Sequence, residues 1–450
     1  MINQDTIAAI ATPPGFGGIG IIRISGPEAE DILRRVFYPA GNNPDVFESH
    51  RMVYGTVKDK GITLDECMAV LMRAPRSYTR EDVAEIQLHG GSFVLNSVLD
   101  LCLENGARLA EAGEFTRRAF INGRVDLSQA EAVMNLINAR GKQEHHAAMR
   151  QLNGGASSFI RKYEDVLVGL QAGIAACMDY PEEISDEEGT GRLKAGLEKL
   201  IGDLTDAVDE HASKMIHQGL NVALIGRPNV GKSSLLNGLL QEDRAIVTNV
   251  PGTTRDIVQG EMMLQGIRVI LTDTAGIRET NDPVEQIGVE RSVKAQNEAD
   301  LTLLVLDGSE RLQDDDIELL KQFDGPGAVI INKTDLKSET DEQSIHDVNK
   351  AVKCLTVSAV EPESLLQIRE YLNEYAKVSD HLALTQPRHL EAARRAIRHL
   401  KDALKTLEQY SPDIASTDLQ AAQYALSEIT GEQADEKLLD RIFSSFCVGK

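Results

Sequence analysis

The stretch VALIGRPNVGKSSLLNGLL, residues 222–240, constrains the fold of this chain more than any other. A short apolar run leads into a glycine-bounded loop of the form G-x-x-x-x-G-K-S, and the loop gives way to a helix-period pattern. The glycines let backbone amides turn inward around a β-phosphate, and the helix N-terminus adds partial positive charge. An ordinary Gly-rich turn needs neither the Lys nor the Ser. Here Lys232 is placed to reach β- and γ-phosphates and Ser233 to ligate Mg²⁺. Asn229, Val230, Gly231, Lys232, Ser233 and Ser234 are therefore candidate contacts to a nucleoside triphosphate.

Around this loop, from about residue 216 to 379, strand-like and helix-like patterns alternate. GLNVALIG, IRVILTDT, DLTLLVLD, GAVIINKTD and VKCLTVSA read as buried strands, near-continuous in apolar residues as a parallel sheet requires. Asp273-Thr274-Ala275-Gly276 ends one of them, where Asp273 can hold magnesium through water and the Gly276 amide can sense a γ-phosphate. The segment Thr248-Asn249-Val250-Pro251-Gly252-Thr253-Thr254 supplies Thr254 as a second hydroxyl ligand for Mg²⁺. Asn332-Lys333-Thr334-Asp335 selects the base, since the Asp335 carboxylate can accept from guanine N1–H and N2–H₂, a donor pair that adenine lacks. A site built on such bonds discriminates by about 10⁴-fold. The Lys333 stem is expected to lie over the base, with Ser358 and Ala359 adding backbone contacts, which makes GTP the substrate. Ras-like enzymes carry a water-orienting Gln after D-x-x-G, but Ile277 stands there. Arg278, Glu279, Asp282, Glu285 and Glu290 follow, and spacing alone does not choose among them.

A chain of 450 residues is too long for one core. Residues 1–120 mix strand-like runs (Gly20 to Ile24, Ala69 to Met72, Val83 to Leu88) with Gly/Pro turns and read as α+β. Residues 121–215 turn helical, beginning at a capping-box spacing of Ser128 with Glu131 and an apolar periodicity through Ala130, Val133, Met134 and Ile137. The acidic stretch 179–189 breaks that run and reads as a solvated loop rather than a metal site. Residues 380–450 are helical again, so the α/β domain at 216–379 is expected to be inserted into one discontinuous helical domain. Gly15-Phe16-Gly17-Gly18-Ile19-Gly20 fits G-x-G-x-x-G formally, but it leads into a strand-like run and is no dinucleotide fingerprint.

The net charge of −23 argues against a broad nucleic-acid-binding face and leaves room only for a local basic patch, with a partner supplying much of any grip on RNA. Five scattered cysteines fit neither a disulfide framework nor a zinc site and suit a reducing cytosol. The chain shows no secretory leader, and no stretch approaches ~18 uncharged apolar residues, so a cytoplasmic protein without membrane spans is expected.

Across essentially its whole length the chain resembles the tRNA modification GTPase family MnmE (TrmE). The resemblance rests on DTIAAIATPPGFGGIGIIRISG, GEFTRRAFINGRVDLSQAEA, GRPNVGKSSLLN, IVTNVPGTTRD, DTAGIRETNDPVEQIGVER, LSEITGE and RIFSSFCVGK. It implies a folate-binding α+β N-terminal domain that dimerises the protein, a helical domain in two stretches, and an inserted Ras-like P-loop G domain. It also implies a flavoprotein partner, GidA (MnmG), using FAD and NADH in a heterotetramer or larger complex. Together they would install aminomethyl-type groups at C5 of the wobble uridine of certain tRNAs.

K⁺-stimulated hydrolysis on pairing of two G domains is implied too, with Asn229 ligating K⁺ beside the carbonyls of Thr248 and Val250 and with Thr253 nearby. Glu285 matches the family glutamate that orients the attacking water. Arg23, Glu81 and Lys450 match positions that contact 5-formyl- or methylene-tetrahydrofolate. Arg124 stands where some relatives have Lys, which keeps the charge but alters the hydrogen-bonding fork. Cys447 would sit near the one-carbon group, although a lone Cys after an amphipathic run is ordinarily a small buried hydrophobe. Three rivals share these motifs: a ribosome-assembly GTPase, which predicts an appended basic domain; a folate-dependent transferase with a purely regulatory G domain; and a GTP-binding scaffold without turnover.

Overall fold

The computed structural model describes residues 5–41, 47–179, 186–242, 258–273, 296, 298–378, 383–410 and 412–449. The chain divides into two compact units, residues 1–137 with 150–202 and 392–450, and residues 138–149 with 203–391. In sequence, the second interrupts the first.

The first unit contains a seven-stranded sheet with strand order β3-β4-β5-β6-β2-β1-β7. Its strands are β1 (Ile7–Ile10), β2 (Gly17–Ser25), β3 (Phe37–Pro39), β4 (Met52–Asp59), β5 (Ile62–Met72), β6 (Val83–Gly90) and β7 (Arg108–Leu109). All neighbours are antiparallel except β1 and β7. Along β2 the buried residues Ile22 and Ile24 alternate with half-exposed ones, the period of a sheet with one core face. Helices α1 (Ala29–Val36) and α2 (Ser92–Glu104) bury Ile32, Leu33 and Val98 in the same core as Ile22, Ile24 and Ile86. The glycine pattern at 15–20 does run into a strand, as expected.

The helical part of this unit holds α3 (Glu114–Ile121), α4 (Leu127–Asn138), the end of α5 (Lys142–Leu152), α6 (Gly155–Asp179) and α7 (Asp186–Ala207); α4 and α7 run on into the second unit and α5 begins there. Here the sequence expectation needs correcting. Asp126, not Ser128, caps α4: its Oδ1 accepts from the Gln129 amide at 2.9 Å while Gln129 Oε1 accepts from the Asp126 amide at 3.0 Å. That reciprocal pair closes the box two residues earlier, so Ser128 lies inside the helix, buried, its hydroxyl shared with Asp126 and Ser157. The acidic stretch also differs from the loop expected at 179–189, because Asp186 already starts α7.

In the second unit six strands order as β13-β12-β11-β8-β10-β9. They are β8 (Leu220–Ile225), β9 (Val258–Leu264), β10 (Ile267–Asp273), β11 (Leu301–Asp307), β12 (Gly327–Asn332) and β13 (Lys353–Thr356). All pairs are parallel except β9 with β10. Helix α8 (Glu210–His217) leads into β8, and α9 (Lys232–Glu242) follows it. After β11 the described helices of this unit include α10 (Asp314–Gln322), α11 (Glu342–His346) and α12 (Pro362–Tyr375). Leu235, Leu239, Leu365 and Ile368 of α9 and α12 pack with Val222, Leu224 and Val305. Leu319, Leu320 and Ile345 of α10 and α11 pack with Ala223, Ile225, Leu304 and Leu306. Successive residues of β8 and β11 therefore feed opposite cores, which is why these strands read as unbroken apolar runs. The architecture combines an α+β sheet, a discontinuous helical part and an inserted doubly wound α/β domain. Among the described residues no helix is long and apolar enough to cross a membrane.

After the second unit, α13 (Pro387–Gln409), α14 (Pro412–Thr430) and α15 (Glu436–Phe443) complete the helices, with α13 beginning in the second unit and continuing into the first. Long α6 packs on α14, and each buries apolar residues at three- and four-residue spacing, Ile160, Tyr163 and Leu167 on α6 and Leu419, Ala422 and Leu426 on α14.

Candidate functional site

Strand β8 has β10 on one side and β11 on the other, and at such a switch point ligands bind outside the carboxyl ends of the strands. The described candidate nucleotide residues gather at that edge. The phosphate loop leaves β8 at Gly226, Asp273 ends β10, Asp307 ends β11, Asn332 ends β12, and Ser358 lies just past β13.

The loop owes its shape to two glycines with positive φ, Gly226 at 140° and Gly231 at 100°. A Cβ on Gly226 would collide with the Val305 carbonyl, and one on Gly231 with the Asn332 amide. Asn229 adopts φ 64°, which Asn tolerates better than most residues. Lys232 is 4% exposed, and its ammonium donates to the carbonyls of Gly226 at 2.7 Å and Arg227 at 2.6 Å. Burial pushes this ammonium below its ordinary 10.5, opposed in part by the Asp273 carboxylate. An incoming phosphate would offset that desolvation. Ser233 Oγ donates to Asp273 Oδ2 at 2.6 Å, and Asp273 is fully buried. A hydroxyl and a carboxylate converging at a strand end form a hard oxygen donor set, which fits Mg²⁺. Arg227 is fixed from behind by Asp316 at 2.8 Å.

The base end is knit together by Asn332, which is 1% exposed. Its Nδ2 donates to the Val230 carbonyl at 2.8 Å, and its Oδ1 accepts from the Ala359 amide at 3.0 Å. One side chain thus ties the phosphate loop to both base-facing segments. Asp335 Oδ1 accepts from Ser358 Oγ at 2.6 Å, while the Ser358 amide donates to Ser364 Oγ at 2.9 Å. Ser358 and Ala359 were expected to offer backbone contacts to a base; here both amides already serve protein partners, and Ser358 orients Asp335 through its side chain.

Lys333, at φ 66°, donates from Nζ to Asp307 Oδ2 at 2.5 Å. Burial alone would raise the Asp307 carboxyl, but hydrogen bonds from Lys333 and from the Ser309 hydroxyl and amide hold it below its ordinary 3.8. Sequence reasoning singled out neither Asp307 nor Ser364. The signal for Asp307 was its place at the end of an apolar strand next to the one carrying Asn332.

Several candidates lie outside the described residues: Thr248, Asn249, Val250, Pro251, Gly252, Thr253, Thr254, Thr274, Ala275, Gly276, Glu285 and Lys450.

The first unit holds a second cluster. The Arg23 guanidinium lies 5.3 Å from the Tyr78 ring centre and 5.7 Å from that of Phe115, and Arg124 stacks on Tyr78 at 4.6 Å. Arg23 also bonds Glu85 at 2.8 Å and donates to the Gly449 carbonyl at 3.3 Å. The segment ending there is held by a bridge between Ala112 and Val448 and by close packing of Gly449, at φ 93°, on the Ile10 carbonyl. Cys447 is exposed, unlike the ordinary lone Cys; it follows α15 between the buried Phe446 and the buried Gly449. Glu81 stands behind this cluster, accepting from Ser25 at 2.7 Å and Arg118 at 3.2 Å. Two guanidiniums thus converge on one aromatic ring, a cationic cluster able to meet an anionic group.

Comparison with known proteins bears on both sites. The model of the MnmE helical domain matches residues 127–447, and that of the GTP-binding protein TrmE N-terminus matches residues 6–124. A tRNA modification GTPase MnmE from Heliobacterium modesticaldum is 45% identical, covering 99% of this chain and 99% of that protein. Its Bacillus subtilis namesake is 42% identical over 99% of this chain and 100% of its own length. Among solved structures, the G domain of the T. maritima FeoB iron transporter is 26% identical over 35% of this chain and 99% of its own, at a TM-score of 0.28. Aquifex aeolicus Era bound to GDP and aluminium fluoride is 26% identical over 43% of this chain and 69% of its own, with a TM-score of 0.28.

Proposed function

The chain belongs to the tRNA modification GTPase MnmE family, and from that premise we propose a cycle in which GTP turnover in the second unit drives folate-dependent modification of the tRNA wobble uridine. It is a GTP hydrolase of tRNA modification. The observation that carries the reading is the buried Asn332 side chain, which ties the phosphate-binding loop to Ala359, whose neighbour Ser358 holds the Asp335 carboxylate.

Backbone N–H groups from Asn229 to Ser233 wrap the β-phosphate, and Lys232 exchanges its two loop carbonyls for β- and γ-phosphate oxygens. Asp335, oriented by Ser358, accepts from the guanine edge. Ser233, with Thr254 and with Asp273 through water, would hold Mg²⁺, which supplies charge neutralisation between the β- and γ-phosphates. Asn229, the carbonyls of Thr248 and Val250, and Thr253 would hold K⁺, which supplies the positive charge that an arginine provides elsewhere. Glu285 orients the attacking water in place of the glutamine that Ile277 displaces.

The domain assignment follows: residues 1–120 for folate binding and homodimerisation, 216–379 for GTP, and 121–215 with 380–450 as the helical link. Arg23, Glu81, Arg124 and Lys450 serve the folate, with Cys447 facing its one-carbon unit. The cytoplasmic homodimer works with the GidA (MnmG) flavoprotein, and aminomethyl-type groups at C5 are the product.

GTP turnover in equal concentrations of KCl and NaCl tests this directly. Turnover should be faster in K⁺, and Glu285→Ala should lose about 100-fold or more in rate while still binding nucleotide. Equal rates in the two salts, or an unimpaired Glu285→Ala, would overturn the catalytic part.

A further inference from the structure

Helix α13 is the most basic of the described helices in a chain whose net charge is −23. It holds six Lys/Arg against three Asp/Glu, whereas no other described helix exceeds a net charge of +1. The distribution is one-sided. Ala393, Ala396, Leu400, Ala403 and Leu407 are buried at alternating spacings of three and four. Arg394, Arg398, Lys401 and Lys405 follow one another at spacings of four, three and four, so they form one row about 16 Å long. Arg398, Lys401 and Lys405 are exposed and Arg394 is half-buried. Asp402, 3.4 Å from Lys405, tempers the row without reversing its sign.

We propose that this row is a docking surface for the phosphodiester backbone of tRNA, an inference that rests on the tRNA-modifying reading above. Two observations favour RNA over an acidic protein. Stable protein interfaces centre on buried aromatic or aliphatic anchors, and no large apolar side chain is exposed along Pro387–Gln409. A phosphate backbone, by contrast, needs only cations in a line, because affinity comes from released counterions. The surrounding negative charge confines contact to this row, so it positions the tRNA while sequence reading falls elsewhere.

The test uses the full-length triple variant Arg398→Glu/Lys401→Glu/Lys405→Glu, with Arg398→Lys/Lys401→Arg/Lys405→Arg as the charge-preserving control. Binding of fluorescent bulk tRNA is followed by anisotropy from 50 to 200 mM KCl. Charge reversal should weaken binding by about tenfold or more and flatten the salt slope by about two to three, and the control should bind like wild type. GTP turnover without RNA should be the same in all three proteins. Unchanged affinity and slope in the reversed variant, with turnover intact, would overturn the docking surface and leave the GTPase reading standing. Loss of a co-purifying protein with unchanged tRNA binding would reassign the row to an acidic protein. Absence of any salt-dependent tRNA binding by the wild type would also remove the proposal, whereas the nucleoside profile of the host tRNA reports separately on the tRNA-modifying reading.

Discussion

Replacing Asn332 by Ala removes a side chain that satisfies two groups at once, the Val230 carbonyl and the Ala359 amide. Each buried polar group left without a partner costs about 1–3 kcal/mol, and Val230 and Asn332 are both 1% exposed. The Ala359 amide is less enclosed, so the total should be about 2–4 kcal/mol. In a unit of this size that corresponds to a fall of roughly 6–12 °C in melting temperature. The phosphate loop and the base-facing segments also lose their common anchor. Guanine nucleotide affinity should therefore drop by about tenfold or more, because re-ordering the loosened site opposes binding.

Asn332→Asp sharpens the test. The new carboxylate can still accept from Ala359, but it faces the Val230 carbonyl with no proton to donate, in a site that disfavours charge. Its pKa should rise, and once protonated it can donate to Val230 again. Binding by Asn332→Asp should thus improve from pH 8 towards pH 5.5, while Asn332→Ala changes no more than wild type. Fluorescent GDP titrations at several pH values, alongside thermal melts, measure both. An Asn332→Ala protein within about threefold of wild-type affinity and with an unchanged melt would refute the clamp.

Three further outcomes follow from the same geometry. Asp307→Asn should weaken guanine nucleotide binding by about tenfold, a charge-assisted bond lost, and Lys333→Ala should add little on that background in a double-mutant cycle. In the first unit, bonds from Arg108 and Arg118 depress Asp5, and against burial that alone would raise it, Arg108, the Glu111 amide and Arg118 depress Glu114, below their ordinary 3.8 and 4.5. Both folded pKa values are lowered, so the stability they confer is fully present above the ordinary values and is lost as pH falls from about 4.5 through the depressed ones; an Arg118→Met protein should show a shallower acid limb. Gly113, at φ 70°, has no room for a Cβ beside the Phe443 carbonyl. Gly113→Ala should cost at least about 1–2 kcal/mol in chemical denaturation, and an unaffected midpoint would remove the case for tight packing there.

The sequence was most legible where one physical signal dominates. The runs ending at Ile225, Asp307 and Asn332 are buried on both faces, so their apolar continuity announced parallel strands and placed the phosphate and guanine motifs at strand ends. β9 went unannounced because VQGEMML is an antiparallel edge strand interrupted by Gly260, with a weak local pattern. The Asp126 cap escaped notice because two overlapping box spacings compete, and the burial of Ser128 against Ser157 decides between them. Contacts between residues distant in sequence were out of reach altogether. Arg23 meets Glu85 through strand register and Gly449 through the return of the chain after α15, and neither follows from local periodicity. Asp307 could have been anticipated as a strand-end acid, but its partnership with Lys333 needed the order of β11 and β12.

If nucleotide turnover in the second unit serves tRNA modification, the wobble nucleosides of the host must register its loss. The gene is deleted in its host, and bulk tRNA is digested and analysed by mass spectrometry. C5-aminomethyl-type uridines should disappear, return with the wild-type gene, and fail to return with Glu285→Ala. An unchanged nucleoside profile in the deletion strain, or full restoration by Glu285→Ala, would contradict the account.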